Sequence, residues 1–224
     1  MAQYLCQELD LRDPVGKPRL AGVHKALRVL ESRGYWQLPE PLGVLAQRWQ
    51  ARRLDEPVAS PQGVPWRVEA LKGLQLVEVS SQDDELFRIW NELMLSEHPL
   101  HNCRLVGRQL RYLIGSDHGW LGGMGLGSCA LRFKVRDRWL GWDEPTRKSF
   151  QERLINLTRF LIRPQVQCQN LASRVLSLCL DRVGRDFAQR YGFEPWWVET
   201  FVDRERYSGT CFRAANWVYI GASQ

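Results

Sequence analysis

Hydrophobic and polar positions alternate with different periods along the chain. Between Leu20 and Gly34, Val23, Leu27 and Leu30 recur at helical spacing, and Gly34 is placed to stop the helix. Tyr4 to Leu9 predicts a shorter helix before it, and "DLRDPVGKPR" breaks the pattern with Pro14, Gly16 and Pro18. "YWQLP" reads as a short strand. From Glu40 to Gly73 long apolar periods are lacking, and Pro41, Pro57, Pro61 and Pro65 mark a linker with one short helix near Val44 to Arg53. From Leu74 the signal changes. "LQLVEVS" predicts a strand. "DDELFRIWNELMLSEHP" sets Leu86, Ile89, Trp90 and Leu93 on one helical face, with Ser81 or Asp83 as cap. "RQLRYLIGSDHGWLGGMGLGSCALRF" predicts two strands joined by a turn at Ser116 to Gly119. "RDRWLGWDEPTRKSFQERLINL" is helical or irregular, "TRFLIRPQV" a strand, "NLASRVLSLCLDRVGRDFAQRYG" a helix and "PWWVETFV" a strand. "GTCFRAANWVYIG" ends the chain with a turn or short helix and a last strand. The order β-α-β-β-α-β-α-β-(α)-β predicts an α/β (α+β) fold on one mixed, mostly antiparallel sheet. Its strands are expected near 75–79, 109–115, 119–131, 159–164, 196–202 and 216–220. The expected divisions are a helix-turn-helix or winged-helix-like region at 1–39, a proline-rich linker at 40–73 and the sheet domain at 74–224.

Composition narrows the class. With 224 residues, 44% hydrophobic and 25% charged, the chain has the profile of a globular protein with one large domain, or one medium and one small. No apolar run approaches the roughly 20 residues that span a bilayer, so no membrane partner is expected. The start lacks the basic and apolar segments of a signal peptide. Six dispersed cysteines without a CxxC pair argue against a zinc ribbon. Reduced thiols, a cytoplasmic location and no metal are the expectation. Ten tryptophans imply either a sizeable core or exposed aromatic surface. The net charge of +6 is compatible with a nucleic-acid or phosphate-bearing partner and decides for neither.

Candidate chemistry sits at several places. Lys17, Arg19, Lys25, Arg28 and Arg33 face one acid, Glu31, around the second helix. Such a helix after a turn suggests DNA contact through Lys17, Arg19, Lys25 and Arg28; a solvated helical hairpin has equal weight. His98, His101 and Cys103 lie within six residues. His101 and Cys103 are a candidate nucleophilic pair, against a reading as plain loop residues. Glu199 and Asp203 alternate to one strand face, where Glu199 is a candidate general base and an arginine salt bridge the alternative. "RDRWLGWDEPTR" interleaves guanidinium groups with Trp139 and Trp142; it can stack on bases, or be a docked helix end in which Asp137 pairs an arginine. Five glycines between Gly119 and Gly127 allow close backbone approach and predict a strand lining a ligand groove.

The loop Gln167-Cys168-Gln169-Asn170-Leu171-Ala172 enters the long helix after Pro164. Together with the element order, it resembles the GNAT acyltransferase superfold, whose Q/R-x-x-G-x-G/A loop binds the pyrophosphate of acyl-CoA at a helix N-terminus. The resemblance implies a GNAT-like domain. Its strands at 159–164 and 196–202 would be neighbours that splay apart. It also implies a cofactor loop of Val166, Gln167, Cys168, Gln169, Asn170, Leu171, Ala172, Ser173 and Arg174, flanked by Arg163. Asn170 stands in place of a glycine. Asparagine tolerates a left-handed backbone, while its side chain would crowd a phosphate or cap the helix itself. The ending Phe212-Arg213-Ala214-Ala215-Asn216-Trp217 matches the superfold's Y-x-x-x-G-F, but Phe212 cannot donate a proton. The longer strings "HNCRLVGRQLRYLI", "RDRWLGW", "RFLIRPQVQCQNLASRVL", "YGFEPWWVETFVD" and "GTCFRAANWVYIG" resemble the DruA family of Druantia anti-phage systems and mobile elements, from about Leu20 to the C-terminus. Members of that family usually carry tyrosine at the place of Phe212. The resemblance implies a DNA-associated protein of defence systems or transposons, with DNA and other such proteins as partners. An acyltransferase using acyl-CoA or a carrier-bound acyl group is a second reading. A catalytically silent scaffold that binds a partner protein is a third.

Overall fold

The computed structural model describes residues 2–12, 18–38, 50–80 and 83–222, and the chain divides into two compact units, Met1–Gln50 and Ala51–Gln224. In the first, helix α1 (Ala2–Glu8) packs on α2 (Leu20–Ser32) through buried Ala2, Cys6, Val23 and Leu27. Leu30, expected on the same face, is exposed. The reason is length: seven residues of α1 span about 10 Å, and thirteen of α2 about 20 Å, so α1 covers only part of α2. Residues 36–38 form no strand. Most of the helix expected near Val44 to Arg53 lies outside the described residues, as does Lys17, and residues 50–53 are not helical.

The second unit is built on a five-stranded sheet in the order β1 (Gln75–Glu78), β2 (Leu110–Ser116), β3 (Gly119–Ser128), β4 (Leu154–Ile162), β5 (Trp197–Glu199). The first three pairings are antiparallel and β4–β5 is parallel. A two-residue turn, Asp117-His118, closes the β2–β3 hairpin, as the sequence predicts. Helix α3 (Asp84–Ser96) starts where Asp83 accepts the Leu86 N–H at 3.1 Å, with Asp84 and Glu85 favourable in the first turn. Its apolar face brings Ile89, Trp90, Leu93 and Met94 onto the sheet with Val79, Leu113 and Leu161. On the opposite face α6 (Leu171–Tyr191) buries Leu171, Val175, Leu176, Cys179, Val183 and Phe187 against Tyr112, Ile114, Met124, Ile155 and Leu157. Alternation along β2 sends Tyr112 and Ile114 to α6 and Leu113 to α3. Two short helices, α4 (Lys134–Trp139) and α5 (Glu144–Phe150), fill the segment between β3 and β4, and Asp143 caps α5 through the Thr146 N–H at 2.8 Å. Among the described residues no helix is long and apolar enough to cross a membrane.

Three expectations change. The strand expected at 216–220 does not form. After α7 (Thr210–Ala214), Asn216 turns left-handed at φ 61°, and Trp217 folds back on Phe212 with ring centroids 5.3 Å apart. Residues 51–73 of the proline-rich segment lie inside the second unit, where the carbonyls of Val58 and Ala59 accept from Arg163 at 2.9 and 2.6 Å. The glycines of β3 do not line a groove on the α3 face. A Cβ at Gly123 would meet Met94 and Trp90 at 3.0–3.3 Å, and one at Gly125 would meet Trp90 at 2.8 Å and Leu105 at 3.0 Å. The missing side chains let the Trp90 indole lie on the strand and donate to the Met124 carbonyl at 2.9 Å.

Candidate functional site

The first candidate is the outer face of α2. Val23 and Leu27 turn inward, and His24, Lys25 and Arg28 on the other side of the helix are exposed. With Ala21, Val29 and Ser32 they line an open surface concavity of about 610 Å³. Neither Lys25 nor Arg28 has a carboxylate within ion-pair distance among the described residues. Arg19 sits at the helix start, exposed, and its backbone N–H donates to Leu11 at 2.9 Å. Glu31, one turn from Arg28, accepts instead from the Leu38 N–H at 3.0 Å.

The second candidate is the loop into α6. Asn170 takes the left-handed conformation, φ 66° and ψ 1°. Its side chain makes no capping bond, contrary to the expectation that it would satisfy a helix donor. A left-handed backbone points the side chain away from the first turn; capping residues usually have extended φ and ψ. The Leu171 N–H reaches the Cys168 carbonyl at 3.3 Å, while the N–H groups of Ala172 and Ser173 have no partner among the described residues. The rest of the loop is committed. The Gln169 N–H donates to Trp66 at 2.6 Å, the Gln169 carbonyl accepts from Val68 at 3.2 Å, and Val166 is buried in the core beside partly buried Cys168. Gln167 and Arg174 are exposed. Arg163 adds no charge to this loop. It is 2% exposed and held by Glu97 at 2.6 Å.

Glu199 ends β5 with its side chain turned inward. Its carboxylate accepts from the Ala130 N–H at 3.1 Å and pairs with Arg136 at 3.2 Å, and Arg136 also pairs with Asp137 at 2.8 Å. This is the salt-bridge alternative: to act as a base, Glu199 would first have to leave Arg136. Asp203 does not join it. β5 stops at Glu199, so the strand alternation that would align 199 with 203 is not continued. Asp203 is exposed and accepts from the Glu205 N–H at 3.1 Å in a turn.

The histidine–cysteine cluster separates likewise. His98 is buried, and its Nδ1 accepts the Leu100 N–H at 3.1 Å. Burial, with Arg159 and His101 nearby, pushes its pKa down to about 4. His101 is exposed, left-handed at φ 43°, with Nδ1 at 2.9 Å from the Leu95 carbonyl. Cys103 points into the α3 core at 1% exposure, where burial pushes the thiol up, away from the thiolate form that a nucleophile needs. Among the described residues no group of three His, Cys, Asp or Glu side chains is placed to hold a metal ion.

The Arg–Trp segment splits by depth. Arg136 and Arg147 are buried, and Arg147 donates to the Leu131 carbonyl at 2.7 Å. Trp139 remains outside and meets Trp197 edge to face at 5.6 Å. The sequence reading did not single out Trp196 and Trp197 as surface residues. The available signal was the doublet itself, two large rings side by side at the start of a short edge strand.

The family model described as "DruA: Druantia protein DruA" matches residues 44–224. No curated protein matches, and no solved structure matches. α1 and α2 precede the matched residues.

Proposed function

From the premise that the chain belongs to the DruA family, and is thereby a DruA-type defence protein, we propose that it is DNA-associated and that α2 contacts the phosphate backbone. The observation that carries this is the outer face of α2, where Lys25 and Arg28 stand exposed without a carboxylate partner among the described residues. Unpaired cations one turn apart on a rigid helix release counterions when they meet phosphates. They read charge, so binding is largely independent of sequence. The test is duplex DNA affinity across a salt series. Replacing Lys25 and Arg28 by glutamate weakens binding alike on all sequences and flattens the log–log salt slope by about 2. Unchanged affinity in that variant removes α2 from the function.

A second reading, acyl transfer on a GNAT-like domain, is favoured by one observation. Asn170 and Asn216 both adopt the left-handed backbone, φ 66° and 61°, where the acyltransferase patterns have glycine. Two N–H groups at the start of α6 are left for an anion. Acyl-CoA in a thermal-shift assay decides it: a raised melting temperature supports this reading. No shift in the wild type or in Asn170→Gly ends it.

A further inference from the structure

We propose that the second unit carries a binding platform for single-stranded DNA, formed by Trp139, Phe150, Trp196 and Trp197 with the cations Lys134, Arg138 and Arg153. The four rings are 48%, 40%, 54% and 44% exposed in that order. They form two pairs: Trp139 with Trp197 at 5.6 Å, edge to face, and Phe150 with Trp196 at 5.3 Å and 32°. The consecutive residues Trp196 and Trp197 join the pairs, and Trp142 extends the row at 6.4 Å from Phe150. Each ring packs on a neighbour and still keeps 40–54% of its surface exposed. Rings held this way lose little freedom when a base stacks on them.

The charges around the rings choose the occupant. Lys134 and Arg138 lie one turn apart on α4, exposed, with no carboxylate in ion-pair range among the described residues. The Arg153 guanidinium lies 5.5 Å from the Trp196 ring, where it can both stack and meet a phosphate. An aliphatic partner would leave these cations unused. A duplex hides its base faces within its own stack. A single strand offers both missing halves, unstacked π-faces for the rings and a phosphate chain for the cations. This site goes beyond the α2 reading and stands on other residues.

The full chain is titrated with short oligo(dT), oligo(rU), duplex DNA and an acidic peptide, following tryptophan fluorescence. Oligo(dT) is expected to quench it. Trp139→Ala and Trp196→Ala each weaken oligo(dT) binding at least about fivefold, while Trp196→Phe keeps most of it. The surface variant Lys134→Gln/Arg138→Gln, which removes no packing, flattens the single-strand salt slope by about 1.4. It decides the matter if a ring variant does not fold. Unchanged oligo(dT) binding in the cation variant overturns the proposal. So does tighter binding of oligo(rU) or of the peptide than of oligo(dT). Glutamate at Lys25 and Arg28 keeps the two sites apart: it is expected to spare the quenching by oligo(dT), whatever it does to duplex binding.

Discussion

In the second unit Arg163 is 2% exposed and its donors are taken by Glu97 at 2.6–3.0 Å and by the carbonyls of Val58, Ala59 and Trp120. In the first unit Lys25 and Arg28 stand exposed on α2 without a carboxylate partner among the described residues. The same formal charge therefore has two uses. A buried guanidinium must have its charge matched and its N–H groups accepted, or burying it costs several kcal/mol. Its field is then spent inside the fold. An exposed, unmatched cation contributes little to stability and keeps its field for a partner. The formal charge of +6 sums both kinds, so only position says which cations face outward.

The sharpest way to break this comparison is Arg163→Ala. It leaves Glu97 uncompensated and strips donors from two carbonyls of the 58–59 segment. A loss of about 3–5 kcal/mol is expected in urea denaturation. Arg163→Lys should recover only a minor part, because an ammonium cannot reproduce the planar fork that reaches a carboxylate and several carbonyls at once. A loss below about 1 kcal/mol would place Arg163 with the surface cations. Glu199→Gln comes next, at about 2 kcal/mol, since it keeps shape but takes the charge from the Arg136 bond. Combining it with Arg136→Met should cost clearly less than the two single changes added together, as the pair is one unit.

These pairs explain which parts of the molecule could be read in advance. α3 and α6 were legible because one-sided burial imposes a period and Asp83 marks a helix start, and the β2–β3 hairpin because a polar turn at Asp117-His118 separates two apolar runs. The first half of β4 was not: Leu154, Ile155, Asn156 and Leu157 are all buried, so covered faces erase the alternation. The last strand was overcalled because "NWVYI" has strand composition. The left-handed turn at Asn216 and the Phe212 contact of Trp217, which prevent pairing, are tertiary facts. The glycines of β3 showed that something approaches the strand closely, but an indole and a ligand leave the same sequence mark. Glu97–Arg163 and Arg136–Glu199 join positions 66 and 63 residues apart, and no local pattern encodes such a choice. Residue type did admit the left-handed backbone of Asn170, because few side chains tolerate it.

His98 sharpens the comparison from the other side, as a buried group able to carry charge but given no carboxylate. With its folded pKa near 4 and the ordinary value at 6.5, the unfolded chain binds the extra proton between those limits. Stability should therefore fall as pH drops from about 6.5 towards 4, and be unaffected by this group above that window. His98→Asn, which keeps an acceptor for the Leu100 N–H, should flatten the dependence in denaturation midpoints. An unchanged slope would assign it to other groups. Asn170→Gly should be a smaller effect. It relieves the left-handed strain of a residue whose side chain makes no capping bond, at some cost in unfolded-chain entropy, for a net gain of at most about 1 kcal/mol. A clear destabilisation would mean that the Asn170 side chain holds something in solution.

The smallest effect on stability is expected at α2, and it tests the other half of the comparison. Lys25→Gln/Arg28→Gln removes two charges without placing a new carboxylate beside Glu31, one turn from Arg28. Glutamine suits a helix nearly as well as lysine or arginine, and neither side chain lies in the Val23–Leu27 core. The denaturation midpoint should therefore correspond to a change within about 0.5 kcal/mol. Duplex binding should still lose about 1.8 from its salt slope, because two phosphates are no longer neutralised. The two readouts must come apart for the comparison to stand. If stability falls by more than about 1 kcal/mol, the cations are structural as Arg163 is, and their field is not available to DNA.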